Sequence, residues 1–137
     1  MKQLRAITQS ICLILVTAFL VLGSFTLSAA PAAADTYTVK MGGDNGLLVF
    51  QPDKLMVKPG DTVKFVINKV PPHNVVFDST PTGDKALAKS LSHQKLEMTP
   101  NQGFEVTIPK DAPAGDYSFY CAPHRSAGMV GKLTVAG

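Results

Sequence analysis

The chain has 137 residues, and its 13 Lys and Arg against 10 Asp and Glu give a formal net charge of +3. So small an imbalance excludes a nucleic-acid footprint, and the length admits one domain with a single core after any leader is set aside. Two cysteines in the whole chain exclude a disulfide scaffold.

The chain opens with a positive segment, Lys2 and Arg5, that has no acidic residue. The apolar stretch from Ile11 to Leu22 follows, and Ala32-Ala33-Ala34 then supplies the small residues of an A-x-A cleavage site. Residues 1–34 are therefore expected to be a cleaved signal peptide, with the mature chain starting at Asp35. The small-residue end favours this over a membrane anchor. The absence of paired arginines points to the general export route, and Cys12 receives no role. Without Lys2 and Arg5 the remaining 35–137 carries a net charge of +1, and Cys121 is its one cysteine. It has no internal disulfide partner, although an exported protein could have formed one.

From Asp35 onward, short period-2 runs alternate with turn residues. Tyr37 to Met41 alternates, Gly42 to Gly46 is a turn, and Leu47 to Phe50 reads as a short apolar strand. Pro59-Gly60-Asp61 is a turn into Val63, Phe65 and Ile67, which alternate with polar residues. Another strand is expected over Val75 to Phe77, and the next over Phe104, Val106 and Ile108. Tyr117 and Phe119 mark a further strand, and Leu133 and Val135 close the chain. Runs of this spacing predict an all-β antiparallel sandwich or barrel. The segment Asp84 to Leu91 is the single helical candidate.

The last third of the chain holds an unusual concentration of metal-binding chemistry. Cys121, His124 and Met129 fall within nine residues, directly after an alternating strand, and His73 lies in Pro71-Pro72-His73-Asn74. One thiolate, two imidazoles and a weak thioether form the donor set of a blue-copper electron-transfer site. Each residue alone has an ordinary reading: a buried small hydrophobe, a hydrogen-bonded histidine, a core methionine. Their combination at the end of a strand, in a chain with an otherwise unpaired exported thiol, favours one copper ion. Loops at one end of a sandwich cluster in space, so all four donors can meet there. Pro72 and Pro123 stiffen the backbone beside a ligand.

Two other functions need features this sequence does not supply. A copper enzyme requires further imidazoles for a second, open site, and 35–137 holds three histidines in all. A storage or delivery protein favours clustered Met or Cys, whereas Met41, Met56, Met98 and Met129 are scattered. His93 reads as a surface residue. Arg125, beside His124, is a candidate for partner docking, and Lys85, Lys89 and Lys95 read as a solvated face.

Long segments of 35–137 resemble the plastocyanin family, in its cyanobacterial form. They include Thr38 to Gly42, Gly46 to Phe50, Lys58 to Val63, Pro71 to Asp78, Tyr120 to His124 and Gly128 to Lys132. The resemblance implies a Greek-key cupredoxin sandwich with one short helix and one copper held by His73, Cys121, His124 and Met129. It implies that Asn74 ties the His73 loop to the Cys121 loop. It places an apolar docking patch at Leu48, Pro72 and Gly128 around His124, with Tyr120 as the aromatic beside the cysteine. It further implies a monomeric carrier, peripheral at the lumenal membrane face of the thylakoid, that moves electrons from cytochrome f to photosystem I, with cytochrome c oxidase as a second acceptor. Two positions depart from the family. Ser79 to Gly83 replaces the acidic run of plant members, which removes their charge steering. Ser126 stands where the family usually has Gly, with a strain cost expected if that position needs a positive φ.

Overall fold

The computed structural model describes residues 33–137. The expected signal peptide, Cys12 included, lies outside the described residues apart from Ala33 and Ala34. Among the described residues the strands are β1 (Thr36–Met41), β2 (Phe50–Gln51), β3 (Lys54–Val57), β4 (Thr62–Ile67), β5 (His73–Ser79), β6 (His93–Glu97), β7 (Gly103–Thr107), β8 (Gly115–Tyr120) and β9 (Val130–Val135). One helix, α1 (Lys85–Leu91), joins β5 to β6, and a 3₁₀ turn (Ala122–Ala127) joins β8 to β9. The strands form two sheets, ordered β2-β1-β4-β7 and β3-β9-β8-β5-β6. The expected all-β sandwich with one short helix is what forms.

The alternation read from the sequence fills the space between the sheets. Val63, Phe65 and Ile67 of β4 are buried, and Lys64 between them is exposed. Val39 and Met41 lie beside them on β1, and Tyr117, Phe119, Leu133 and Val135 face them from the other sheet. Phe119 is the hub, its ring centroid 4.9 Å from Phe50, 5.2 Å from Phe77 and 5.6 Å from Phe65. Edge-to-face and tilted pairs of this kind add attraction beyond area burial. The helix begins where the sequence placed it, because the Asp84 carboxylate accepts from the N–H groups of Ala86 (2.8 Å) and Leu87 (3.0 Å).

Three details differ from the sequence expectation. The pairing is not wholly antiparallel, since β1 runs parallel to β4 and β3 parallel to β9. After β1 the chain reverses through β2, crosses to the other sheet as β3, and returns to run beside β1 as β4. The expected strand Leu47–Phe50 begins only at Phe50, because Leu47 and Val49 point to solvent in the loop before it. Strands β3 and β6 were not anticipated. Each has few buried side chains and exists by pairing with a neighbour.

This topology sends the C-terminal ends of β1, β4 and β8 and the starts of β5 and β9 to one pole. The starts of β1, β4 and β8 lie at the other. Six residues of strand separate the two, or roughly 20 Å.

Candidate metal centre

His73 is the first residue of β5 rather than part of the loop before it. Its side chain is fully buried, and its Nε2–H donates to the carbonyl of Lys69 at 2.7 Å. That bond fixes the tautomer and leaves the Nδ1 lone pair free. Cys121 directly follows β8 and is also fully buried. The next residues wind into the 3₁₀ turn, whose first bond, His124 N–H to Cys121 O at 3.1 Å, brings the His124 ring back over the sulfur. Gly128 closes the turn with φ +85°, a left-handed conformation that costs a side-chain-bearing residue strain. The loop is then stapled shut. Cys121 N–H donates to Met129 O at 3.0 Å, and Met129 N–H donates to His124 O at 3.2 Å. Met129 is thereby held beside both residues with its side chain fully buried.

The three strong donors converge. Cys121 Sγ lies 3.5 Å from His73 Nδ1 and 3.5 Å from His124 Nδ1, and the two nitrogens are 3.2 Å apart. A point equidistant from all three is about 2.0 Å from each, which is an ordinary metal–imidazole bond length. The donors therefore frame a trigonal site of metal size. The chemistry of the set agrees, because one thiolate and two imidazoles in a trigonal frame, with a thioether on the same loop, suit copper, whereas zinc takes a tetrahedron. Electrostatics agree as well. Burial pushes the Cys121 thiol up, against the smaller opposite pull of the Asn74 and His124 backbone N–H groups. Burial also pushes the His73 imidazole down, despite its bond to Lys69. A buried thiolate needs a cation at this spot, and a buried neutral imidazole is ready to bind one. Among the described residues this is the one His/Cys/Asp/Glu group close enough to hold a metal.

Asn74 joins the two ligand segments. Its Oδ1 accepts from Ala122 N–H at 2.8 Å, and its Nδ2 donates to Gln94 O at 3.0 Å. One buried amide thus links β5, β6 and the residue after Cys121. Pro123, exposed, occupies the first turn of the 3₁₀ segment, where its missing N–H costs nothing.

Around the metal pole, His124 is half-buried, and Leu48 and Pro72 are half-buried beside exposed Gly128. The loops here also expose Leu47, Val49 and Val70, three apolar residues the sequence reading did not assign to this surface. Val70 has φ +52°, unusual for a β-branched side chain, in the turn that leads to Pro71 and His73. Gly42 and Lys69 bring the two loops together, since a Cβ on Gly42 would collide with the Lys69 carbonyl oxygen.

Arg125 is not a free charge. Its guanidinium bonds Asp78 at 2.9 Å and lies 3.9 Å above the centre of the Tyr120 ring. Asp78 is 47 residues away in sequence, and nothing in either segment announces the pair. His93 departs from the surface expectation too. It is half-buried, stacked on Phe104 at 3.8 Å and bonded to Glu97 at 2.9 Å. Ser126 is in the 3₁₀ turn and is not among the positive-φ residues, so the expected strain is absent. The left-handed position is Gly128, two residues on.

Comparison with known proteins agrees with this geometry. Residues 37–136 match the model of a family described as copper binding proteins, plastocyanin/azurin family. A plastocyanin of Nostoc punctiforme is 54% identical over 139 residues, covering 100% of each chain. A plastocyanin of a Synechococcus strain is 56% identical over 107 residues, covering 78% of each. Among solved structures, oxidized plastocyanin from Dryopteris crassirhizoma superposes with a TM-score of 0.61 at 32% identity, over 72% of this chain and 99% of that one. A pseudoazurin from Methylobacterium extorquens gives 0.52 at 32% identity, over 74% and 76%.

Proposed function

The chain belongs to the plastocyanin/azurin family of copper-binding proteins, and from that premise we propose that it carries single electrons from cytochrome f to photosystem I. It does so as an exported monomer in the thylakoid lumen, peripheral to the membrane, with cytochrome c oxidase as a second acceptor. The observation that carries this reading is the trigonal donor set of buried His73 and Cys121 with half-buried His124, directly beneath an apolar surface.

When bound, copper supplies a one-electron change between Cu(I) and Cu(II), which a site of this donor set tolerates in both states. The protein's own part is to hold the donors still. The Lys69 carbonyl fixes the His73 ring, the Asn74 amide fixes the Cys121 segment, and the backbone bonds between Cys121, His124 and Met129 fix the third side. A stiff frame has little to rearrange when the charge changes. Burial of His73, Cys121 and Met129 excludes water, and the half-buried His124 ring brings the site to the surface. Against an enzymatic role, His93 is engaged with Phe104 and Glu97, away from any second donor cluster among the described residues.

Apolar contact permits close approach and quick release, as a shuttle requires. Stopped-flow kinetics with cytochrome f and flash kinetics with photosystem I test the surface. Leu48→Ala is expected to slow both reactions at every salt concentration. Wild-type rates for Leu48→Ala, with a lysine of the 85–95 segment controlling the rate at high salt, would place electron exit elsewhere.

A further inference from the structure

At the pole opposite the metal centre sits a buried carboxylate that the electron-carrier reading does not use. Asp61 is 1% exposed. Its Oδ2 accepts from Lys58 N–H at 2.8 Å, which closes the β3–β4 turn. Its Oδ1 accepts from the backbone nitrogen of Asp35 at 2.9 Å. The backbone of Asp61 joins in, taking Ile108 N–H at 2.8 Å, while Asp35 O accepts from Thr62 N–H at 2.9 Å. These contacts bind the start of β1, the start of β4 and the end of β7 at one point.

The nitrogen on Oδ1 is the one that follows the A-x-A motif Ala32-Ala33-Ala34. We propose that processing at this bond installs an ion pair: the α-ammonium of Asp35 docks on the buried Asp61 carboxylate and locks the metal-distal pole of the mature domain. A peptidase adds water across the Ala34–Asp35 peptide bond. Ala34 leaves with the new carboxylate, and the new amine stays on Asp35, protonated at neutral pH. A neutral amide donor becomes a charged donor at the same atom, facing an ionised acceptor. The amide's bond to the ionised carboxylate is already charge-assisted, and a charged donor adds ion-pair attraction to it. The carboxylate is prepared for the role, since the two backbone N–H donors hold its pKa below the ordinary value. Among the described residues the buried core runs from Val39 to Val135, so cleavage removes none of it.

The nearby charges do not compete for the site. Lys58 contributes its backbone N–H and a weaker field on Asp61, and the Lys110 side chain lies over Gly60. Asp35 is itself an exposed acid.

The copper-loaded protein starting at Asp35 should be compared with one that retains Ala33 and Ala34. Mass spectrometry of the exported protein is expected to show Asp35 as its first residue. In urea at pH 7, the unfolding constant is expected to be about fivefold smaller for the Asp35 form, as the added ion-pair attraction implies. The visible spectra should be identical. The α-amino group should titrate above the usual 7.7–8.0. A raised folded pKa gives stability that is complete below the unfolded value and lost as pH rises through the folded one. The advantage should therefore fade on the alkaline side. Asp61→Asn should abolish it; if that variant does not fold, Asp35 acetylated at its amine should behave as the extended chain does. Equal stabilities, an ordinary α-amino pKa, or a different first residue would each overturn the proposal. None of these readouts depends on the electron partners.

Discussion

The two poles of the sandwich use one device in two chemical forms. At the metal pole, Asn74 bridges β5, β6 and the segment after Cys121. At the distal pole, Asp61 bridges the starts of β1 and β4 and the β3–β4 turn. Both side chains are buried, and each adds side-chain bonds at the ends of strands that the sheets already pair. The partners decide the choice of residue. Asn74 meets one N–H and one carbonyl, so it must both accept and donate. Asp61 meets two N–H groups, so an acceptor-only carboxylate satisfies both. A carboxylate at position 74 would also place a second anion beside the Cys121 thiolate. The metal pole thus keeps its fixed charge for the ligand set, and the distal pole can hold a full negative charge.

The sharpest way to separate the poles is to remove the one ligand with no substitute. In Cys121→Ser the visible band of the copper-loaded protein is expected to vanish, because Cys121 is the one thiol among the described residues. The distal pole should not notice. Amide exchange at Thr62 and Ile108, which belong to the Asp35–Asp61 cluster, should match wild type. An intense visible band in purified Cys121→Ser would contradict the ligand assignment.

The next effect compares the bridges directly. Asn74→Ala removes the bonds to Ala122 N–H and Gln94 O at the metal pole, at about 0.5–1.5 kcal/mol for each. Copper should also leave faster, since the Cys121 segment loses its brace. Asp61→Asn is expected to cost about 1–3 kcal/mol near pH 7, with copper retention unchanged. Urea unfolding and transfer of copper to a chelator would measure both. Equal copper loss in the two variants would mean that the braces are not local.

The pH dependence sharpens the contrast. The Asp61 pKa is lowered, first by the Lys58 N–H and then by the Asp35 nitrogen. A lowered folded pKa gives stability that is present above the unfolded value, about 4, and lost as pH falls through the folded one. The gap between wild type and Asp61→Asn should therefore close in acid, and hold from about pH 5 up to the alkaline range where the Asp35 amine deprotonates. Asn74→Ala removes no titrating group, so its deficit should persist. Asp44, Glu97 and Asp116 also have lowered pKa values, but they are common to all three proteins.

The sequence revealed these poles unequally. The four copper donors were legible because their residue types are rare and their chemistry narrow. The core strands were legible because β4, β8 and β9 alternate strictly between buried and open positions. Strand β6, His-Gln-Lys-Leu-Glu, has no buried side chain, and its existence depends on β5 beside it. The run Leu47–Phe50 misled for the opposite reason, since its apolar residues serve a surface and not a core. Parallel pairing was invisible because alternation reports faces, not neighbours. Ser126 and Arg125 show the same limit. The φ of one and the ion-pair partner of the other are set by how the 3₁₀ turn packs on β5 and β8.

The smallest expected effect concerns Arg125, and it follows from that hidden partner. A lone Arg beside His124 would steer acidic partners at long range. Paired with Asp78 and laid on Tyr120, it presents much less field. Arg125→Gln is therefore expected to slow encounter with cytochrome f by only about twofold at low ionic strength, and not at all at high salt. Asp78→Asn makes the opposite test, since it uncovers the guanidinium without moving it off the ring. That variant should associate faster than wild type at low salt and identically at high salt, as encounter with an acidic partner requires. Leu48→Ala, acting through contact, should show no such convergence. If Asp78→Asn and Arg125→Gln slow the reaction equally and at all salt concentrations, the pair works by holding Tyr120 and the 3₁₀ turn in shape rather than by its charge.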